Sequence, residues 1–512
     1  MRFSIPALAV AATVSVLLQP LPAQAQKAKD TLRVALNEPI STLVINEDPR
    51  PEPELFTYAV FDSLICYDAK TEEYKPLLAK SWTQPDPKTF VFQLRDDVKF
   101  HDGSPLTADD VVYSLQYYAD PASKLRFATA NMEWMERIEK IDDHTIRVVA
   151  KRPTPVPLVI LASTSDILPA KLHGSYATKT DFGRQHPIGT GPYKVVSLDA
   201  SNGVRLVKNE HYPQGNDCKH GGSISNVAGI PITDQQTQIA QLTVGGIDFM
   251  RGRTKDQADM MSQMPNVTIT ATEGLTFAYM AMDSTNRAGV AALSDQRVRR
   301  ALSQAFDRTA VARSVFAGGD EVVALDAMCR HVERACDYSS KPPGFDREAA
   351  KKLLTEAGFA DGFDVELTAP TGIDGLAEAI GGELRKIGVR AKIDKVTVPA
   401  YRQKQTSGKI QILVWLWGQP DVYSTAALFF DGGPRDYWHD AKLIELMNEG
   451  VATTDLAARK AIYRQLFDRV NEMNYILPIS TVPELFIHSK DLFVKKGSIS
   501  RTGVELADMH WQ

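Results

Sequence analysis

The sequence predicts an α/β protein of more than one domain, and three observations carry that prediction. Strand-like segments of alternating polarity recur between segments of helical period. The chain is 512 residues long, more than a single core usually serves. Its first residues have the make-up of a secretory leader, so the fold is that of an exported protein.

The leader comes first. Arg2 supplies the positive n-region, Ile5 to Leu18 is an apolar run with small residues at Ala7, Ala9, Ala11 and Ala12, and Pro20 and Pro22 break it. Ala23-Gln24-Ala25 then places small side chains where a signal peptidase reads, which predicts a signal peptide over 1–25 and Gln26 as the mature N-terminus. The run is shorter than the roughly 20 apolar residues of a spanning helix. No cysteine stands at the cleavage point, so the expected product is a soluble periplasmic protein.

The mature chain would have 512 − 25 = 487 residues, with 57 basic against 63 acidic side chains, a formal charge of −6. That mildly acidic balance argues against nucleic acid and against anionic lipid as partners. The apolar fraction, 44%, is enough to bury a large core. After the leader the longest apolar run, Ile410 to Trp417, is strand-sized.

Four cysteines in an exported chain point to oxidation. Cys329 and Cys336 enclose six polar-rich residues, a loop that a disulfide could staple. Cys66, in the run Phe61 to Tyr67, reads as a buried free thiol. Cys218 lies in a Gly-rich loop with its pairing open, since four cysteines allow three connectivities.

Along the chain, Thr31 to Leu36 reads as a strand, and Phe90, Phe92 and Leu94 mark a half-buried one that turns at Asp96-Asp97. Thr107 opens a helix with Asp110 in capping-box register, and Ala108, Val111, Val112 and Leu115 share a face. Thr145 to Val149 and Val204 to Lys208 are further strands. In the second half Ser294 is the expected cap of a helix bearing Val298, Ala301, Leu302, Ala305 and Phe306. Asp346 starts another, which Gly358 ends. A strand at Phe363 to Leu367, a helix near Leu376 to Lys386, a strand near Arg390 to Ile393, the strand Ile410 to Trp417 and a helix from Asp455 to Met473 follow. This alternation favours sheets covered by helices.

Several of these segments resemble one family. Leu77-Leu78-Ala79-Lys80-Ser81-Trp82, Phe90 to Arg95 and Val98-Lys99-Phe100-His101-Asp102-Gly103 through Val111 are similar to the signature of family 5 solute-binding proteins, the oligopeptide-, dipeptide- and nickel-type receptors of ABC importers. The likeness continues at Pro187 to Tyr193, Lys208 to Tyr212, Gly245 to Asp248, Arg297 to Arg308 and Trp415 to Asp421. Seen singly, Phe100 to Thr107 and Gly189-Thr190-Gly191-Pro192 read as folding devices, a turn into a capped helix and a tight approach to a strand. The resemblance implies a periplasmic-binding-protein (Venus flytrap) fold of two α/β lobes with an additional inserted subdomain. It implies lobe one over 26–53, 182–277 and 478–512, the subdomain over 54–181 and lobe two over 278–477. Hinge strands are expected near Gly274 to Tyr279 and Pro478 to Thr481. A small-molecule or peptide-like solute and membrane-embedded ABC permease subunits are the implied partners, with the receptor a monomer.

Candidate solute contacts cluster where the strand ending at Trp417 meets its loop, the end at which α/β folds place ligands. Trp415 and Trp417 share a face by two-residue period and would make an aromatic platform. Gly418, Asp421 and Tyr423 lie on the loop that follows. Peptide receptors of the family carry, three residues before the Asp-Pro pair, an Asp that neutralises the ligand's α-amino group. Aligned through Trp415 and Pro420-Asp421, that position is Gly418, so an ordinary free-amine peptide is not the expected cargo. Arg251, with Arg253 beside it, could fork onto a carboxylate or phosphate. Asn37 with Glu38, Tyr279 at the expected hinge, and Tyr401 complete the set.

No nucleophile elbow, zincin, P-loop or dinucleotide fingerprint occurs, so no catalytic residue is nominated and no cofactor is expected. A metal-chelate carrier is the alternative inside the family. His211, Cys218 and His220 lie close in sequence, as does His331 between Cys329 and Cys336, but neither group has zinc-site spacing.

Overall fold

Three sheets organise the chain in the computed structural model, which describes residues 30–512 apart from 49, 69–70, 126–127, 129–130, 214–217, 253 and 498–502. The expected signal peptide over 1–25, Gln26 and Arg253 lie outside the described residues. A seven-stranded sheet runs, in spatial order, Val267–Thr272, Glu484–Ser489, Phe249–Gly252, Thr31–Leu36, Asn226–Pro231, Gly203–Lys208 and Tyr193–Asp199. Thr31–Leu36 is parallel to both neighbours, and the outer pairs are antiparallel. Between its first strand and Tyr193 the chain inserts an antiparallel four-stranded sheet, Ala79–Asp86, Thr89–Leu94, Thr145–Ala150 and Met135–Asp142.

The second half builds a five-stranded sheet in the order Arg390–Val396, Asp364–Pro370, Ile412–Trp417, Phe277–Met282 and Ile476–Thr481. Ile412–Trp417 is its central strand. Val414 and Leu416 face one apolar cluster, which Ala301, Leu302 and Leu376 help to build. Trp417 faces the other, with Phe429 and Tyr463.

Most cap residues act as their chemistry requires. The Thr107 N–H donates to Asp110 at 2.9 Å, and Asp346 accepts from the Ala349 N–H at 2.9 Å. Asp455 caps Leu456–Met473 through the Ala458 N–H. The expected cap at Ser294 moves one residue: Asp295 accepts from the Arg297 N–H at 2.8 Å, because Ser294 ends a short 3₁₀ turn. Residues 476–481 form one strand paired with Phe277–Met282.

Two shared motifs pack on each other. The His101 ring lies with Nε2 at 3.0 Å from the Gly191 carbonyl and Nδ1 at 3.3 Å from the Gly189 N–H. A side chain at Gly189 or Gly191 would run into the Val60 carbonyl, so both must be glycine. Nearby, the buried Asp62 carboxylate receives the Thr190 hydroxyl at 2.9 Å and the Lys219 ammonium at 2.7 Å. Lys219 follows Cys218, which is bonded to Cys66 across 152 residues. The free-thiol reading of Cys66 is therefore corrected: Cys66 is buried because its hairpin carries a cross-link, and apolar sequence around it could not reveal a partner so distant. Cys329 and Cys336 form the second disulfide.

Candidate functional site

The two large sheets are joined by adjacent crossings. Val267–Thr272 leads through residues 273–276 into Phe277–Met282, and Ile476–Thr481 leads through Val482-Pro483 into Glu484–Ser489. The Val482 N–H donates to the Thr276 carbonyl at 2.9 Å, so the crossings run side by side. Trp417, opposite Phe277 in register, ends its strand at this junction, and Gly418 to Asp421 continue from it. The loop that follows therefore lies at the junction of the two sheets, beside both crossings.

Trp417 is half-buried, donates its indole N–H to Thr425 at 2.8 Å and sets its ring edge-on to Phe429 at 5.7 Å. Trp415, also half-buried, lies 5.6 Å from the Tyr401 ring. Tyr423 packs against the apolar clusters on both sides of the junction.

Charge around the loop is matched internally. Asp421 is fully buried and takes both Arg459 guanidinium nitrogens, at 2.5 and 3.1 Å, while its Oδ1 also accepts the Tyr423 N–H at 2.9 Å. Removing either partner of such a buried pair costs about 3–5 kcal/mol, so Asp421 holds the helix Val422–Phe429 and is not free for a solute ammonium. Arg251 is likewise spent: Nε and Nη2 both reach Glu484 Oε2, the former at 2.8 Å.

The disulfide loop adds a third layer. Arg330 is almost wholly buried, donates to the carbonyls of Glu273 and Gly274 in the crossing, and lies 2.6 Å from the Glu273 carboxylate. Burial pushes the Glu333 carboxyl well above its ordinary range, against the pull of Arg330. The Arg334 backbone pairs with the loop after Trp417, its N–H donating to the Pro420 carbonyl at 3.0 Å and its carbonyl accepting the Val422 N–H at 3.2 Å.

The family model described as "Bacterial extracellular solute-binding proteins, family 5 Middle" matches residues 73–436. The chain belongs to family 5 of the bacterial extracellular solute-binding proteins. Among curated relatives of this family 5 protein, heme-binding protein A of Haemophilus influenzae is 27% identical over 79% of this chain and 78% of its own. The glutathione-binding protein GsiB of Shigella dysenteriae is 25% identical over 91% of each. Two solved structures support the fold. CtaP, an ABC transporter substrate-binding protein of Listeria monocytogenes, has a TM-score of 0.81 at 20% identity, covering 94% of this chain and 99% of its own. HbpA2 of Haemophilus parasuis gives 0.80 at 23%, covering 94% and 100%. The two-lobed periplasmic-binding-protein fold expected from the resemblance is the fold of this family 5 protein.

Several nominated residues are placed differently from the expectation. Tyr279 is buried, edge-on to Phe429 at 5.4 Å and hydrogen-bonded to Tyr401, so its side chain packs in the core. Tyr401 is buried with it. Asn37 is buried too; it donates to Glu52 and accepts from Gln238 at 3.1 Å, so its side chain is tied to neighbours within the fold. Gly418 is a packing glycine: any side chain there would strike the Leu275 carbonyl. The position therefore has no room for a carboxylate, and its lack of one follows from the backbone of the crossing.

Trp415, Trp417, Gly418, Asp421 and Tyr423 come together at the junction, while Arg251 and Asn37 are bound into the seven-stranded side. Arg330, Arg334 and Arg459 were missed. The Cys329–Cys336 spacing marked the loop holding the first two; nothing in the helical period marked Arg459 as a buried partner. The two groups weighed as metal-binding lose their thiols to the disulfides. Among the described residues no set of three His, Cys, Asp or Glu side chains is placed to hold a metal.

Proposed function

We propose that this protein is an exported, periplasmic receptor that closes two lobes on a peptide-like small organic solute and passes it to the membrane-embedded permease of an ABC importer. Family membership supports solute capture, and relatives named for glutathione and for di- and tripeptides support a peptide-like cargo. In this reading lobe one comprises 26–53, 182–277 and the chain after Thr481, 54–181 is the inserted subdomain, and lobe two is 278–481. The receptor works as a monomer, and 1–25 is the leader removed on export.

The observation that carries the reading is the loop Gly418–Tyr423, set between the sheets at the end of the central strand beside both crossings. Its charged members are already paired, so recognition falls to the half-buried Trp417, to Trp415 and Tyr423, and to backbone groups of the loop. Such a pocket favours a solute with apolar or planar parts and without dependence on a free-amine clamp. Burial on closure gives the closed state its differential affinity.

Native mass spectrometry of protein purified without denaturation should find a small organic molecule retained. Trp417→Ala should weaken binding of that molecule by about 10- to 100-fold, the weight of one aromatic anchor. Unchanged affinity would remove Trp417 from the site, and protein that carries no solute and gains no thermal stability from a broad solute panel would argue against the receptor reading.

A further inference from the structure

The loop closed by Cys329–Cys336 touches three parts of the molecule that have to move together. Arg330 binds the carbonyls of Glu273 and Gly274 in the crossing. The Arg334 backbone pairs with Pro420 and Val422 of the solute loop. The Arg334 side chain then reaches across to the hairpin Ile65–Asp68/Glu73–Pro76, which belongs to the other side of the junction. Its guanidinium lies over the Tyr74 ring at 4.7 Å and the Tyr67 ring at 6.0 Å, and donates to the Glu72 carbonyl.

Lys460 completes the contact. It sits one residue after Arg459, whose side chain holds Asp421, and its ammonium meets the Glu72 carboxylate at 2.7 and 2.8 Å. Glu72 has φ +54°. A non-glycine residue held left-handed carries about 1–2 kcal/mol of local strain, and here that conformation offers Glu72's carbonyl to Arg334 and its carboxylate to Lys460. The hairpin itself is tied down by Cys66–Cys218. One lobe-to-lobe contact thus has a disulfide beneath each side.

We infer that this contact is a closing latch, and that the Cys329–Cys336 loop is the brace that makes the crossing, the solute loop and the latch move as one piece. The inference rests on the two-lobed receptor reading but not on any particular solute. A half-buried cation over rings and a half-buried ion pair are each modest contributions. The latch therefore biases the closed state without locking it, and solute can still enter and leave.

Single-molecule energy transfer on solute-free protein tests this, with dyes on noncanonical residues at the exposed positions Asp143 and Lys352. Lys460→Glu and Arg334→Leu should each lower the closed-to-open ratio by about two- to tenfold. The double reversal Glu72→Lys/Lys460→Glu should restore it, which separates loss of the latch from misfolding. Cys329→Ser/Cys336→Ser should shift the ratio in the same direction as Arg334→Leu. Wild-type protein without a closed population, or a ratio indifferent to Lys460→Glu and Arg334→Leu, would overturn the latch. A ratio moved by Arg334→Leu but not by loss of the disulfide would overturn the brace. Because the measurement uses no solute, a protein that binds nothing in the panel yet responds as expected would fail the solute-capture part of that reading and keep the two lobes and their latch.

Discussion

Asp421 and Gly418, three residues apart, show how little a side chain's identity says before its neighbours are known. Asp421 has the chemistry to receive an ammonium, yet Arg459 already neutralises it inside the fold. Arg459→Ala should therefore cost about 3–5 kcal/mol, read as a drop in chemical-denaturation midpoint, because it strands a buried carboxylate. Gly418 invites comparison with relatives that carry a carboxylate, but the Leu275 carbonyl fills the space a Cβ needs. Gly418→Ala should lower stability by about 1–3 kcal/mol through overpacking. If Gly418→Ala unfolds at the wild-type midpoint, the close approach is not a constraint. The aromatic pair Trp415 and Trp417 was legible because period two depends only on the strand; what each charge does was not, because partners such as Arg459 lie 38 positions away.

Among the elements, the segment that follows the first strand has its own pH response. Glu47 accepts the Thr42 hydroxyl at 2.5 Å, while the Leu43 N–H reaches the Gly183 carbonyl at 3.1 Å and docks the segment on the helix Asp181–Gln185. Burial pushes the Glu47 carboxyl from 4.5 up to about 7, with the Thr42 hydroxyl and Arg184 opposing the shift and Asp166 and Asp181 adding to it. A carboxyl raised by folding stabilises fully below its unfolded value, and that stability is lost as pH rises through the folded one. Glu47→Gln should therefore gain on wild type between about pH 4.5 and pH 7, by up to about 3 kcal/mol, in melting temperatures taken at each pH. A difference that stays constant over that window would rule out the titration. His101 and His173, both pushed down to about 4 chiefly by burial, act with the opposite sign, whereas Asp166, pushed up to about 7 by burial, acts with the same sign as Glu47; all three remain in both proteins. Strands and caps at this scale were read well where local chemistry decides them. Thr31–Leu36 has the predicted bounds, and the Thr107–Asp110 box forms because both ends lie within one turn.

For the molecule as a whole, the cross-link Cys66–Cys218 joins the hairpin Ile65–Asp68/Glu73–Pro76 to the loop that carries Lys219 into the buried Asp62. Cys66→Ser/Cys218→Ser should lower stability by about 2–5 kcal/mol, measured by denaturant unfolding under oxidising conditions. An unchanged midpoint would mean that the packing of Lys219 and Tyr212 on Asp62 already holds the two segments. The sequence by itself determined that this is an α/β chain, a member of one solute-binding family by its ordered motifs, and the owner of an aromatic strand that ends at Trp417. Those features rest on period, local chemistry and the order of short segments, all of which are written along the chain. Only the tertiary structure decided that Cys66 is paired, that Tyr279, Asn37, Arg251 and Asp421 are packed or paired within the fold, and that the Cys329–Cys336 loop joins the crossing, the loop after Trp417 and the hairpin. Those outcomes depend on which distant segments meet, and a buried charge or thiol is assigned its role by the partner that reaches it in space.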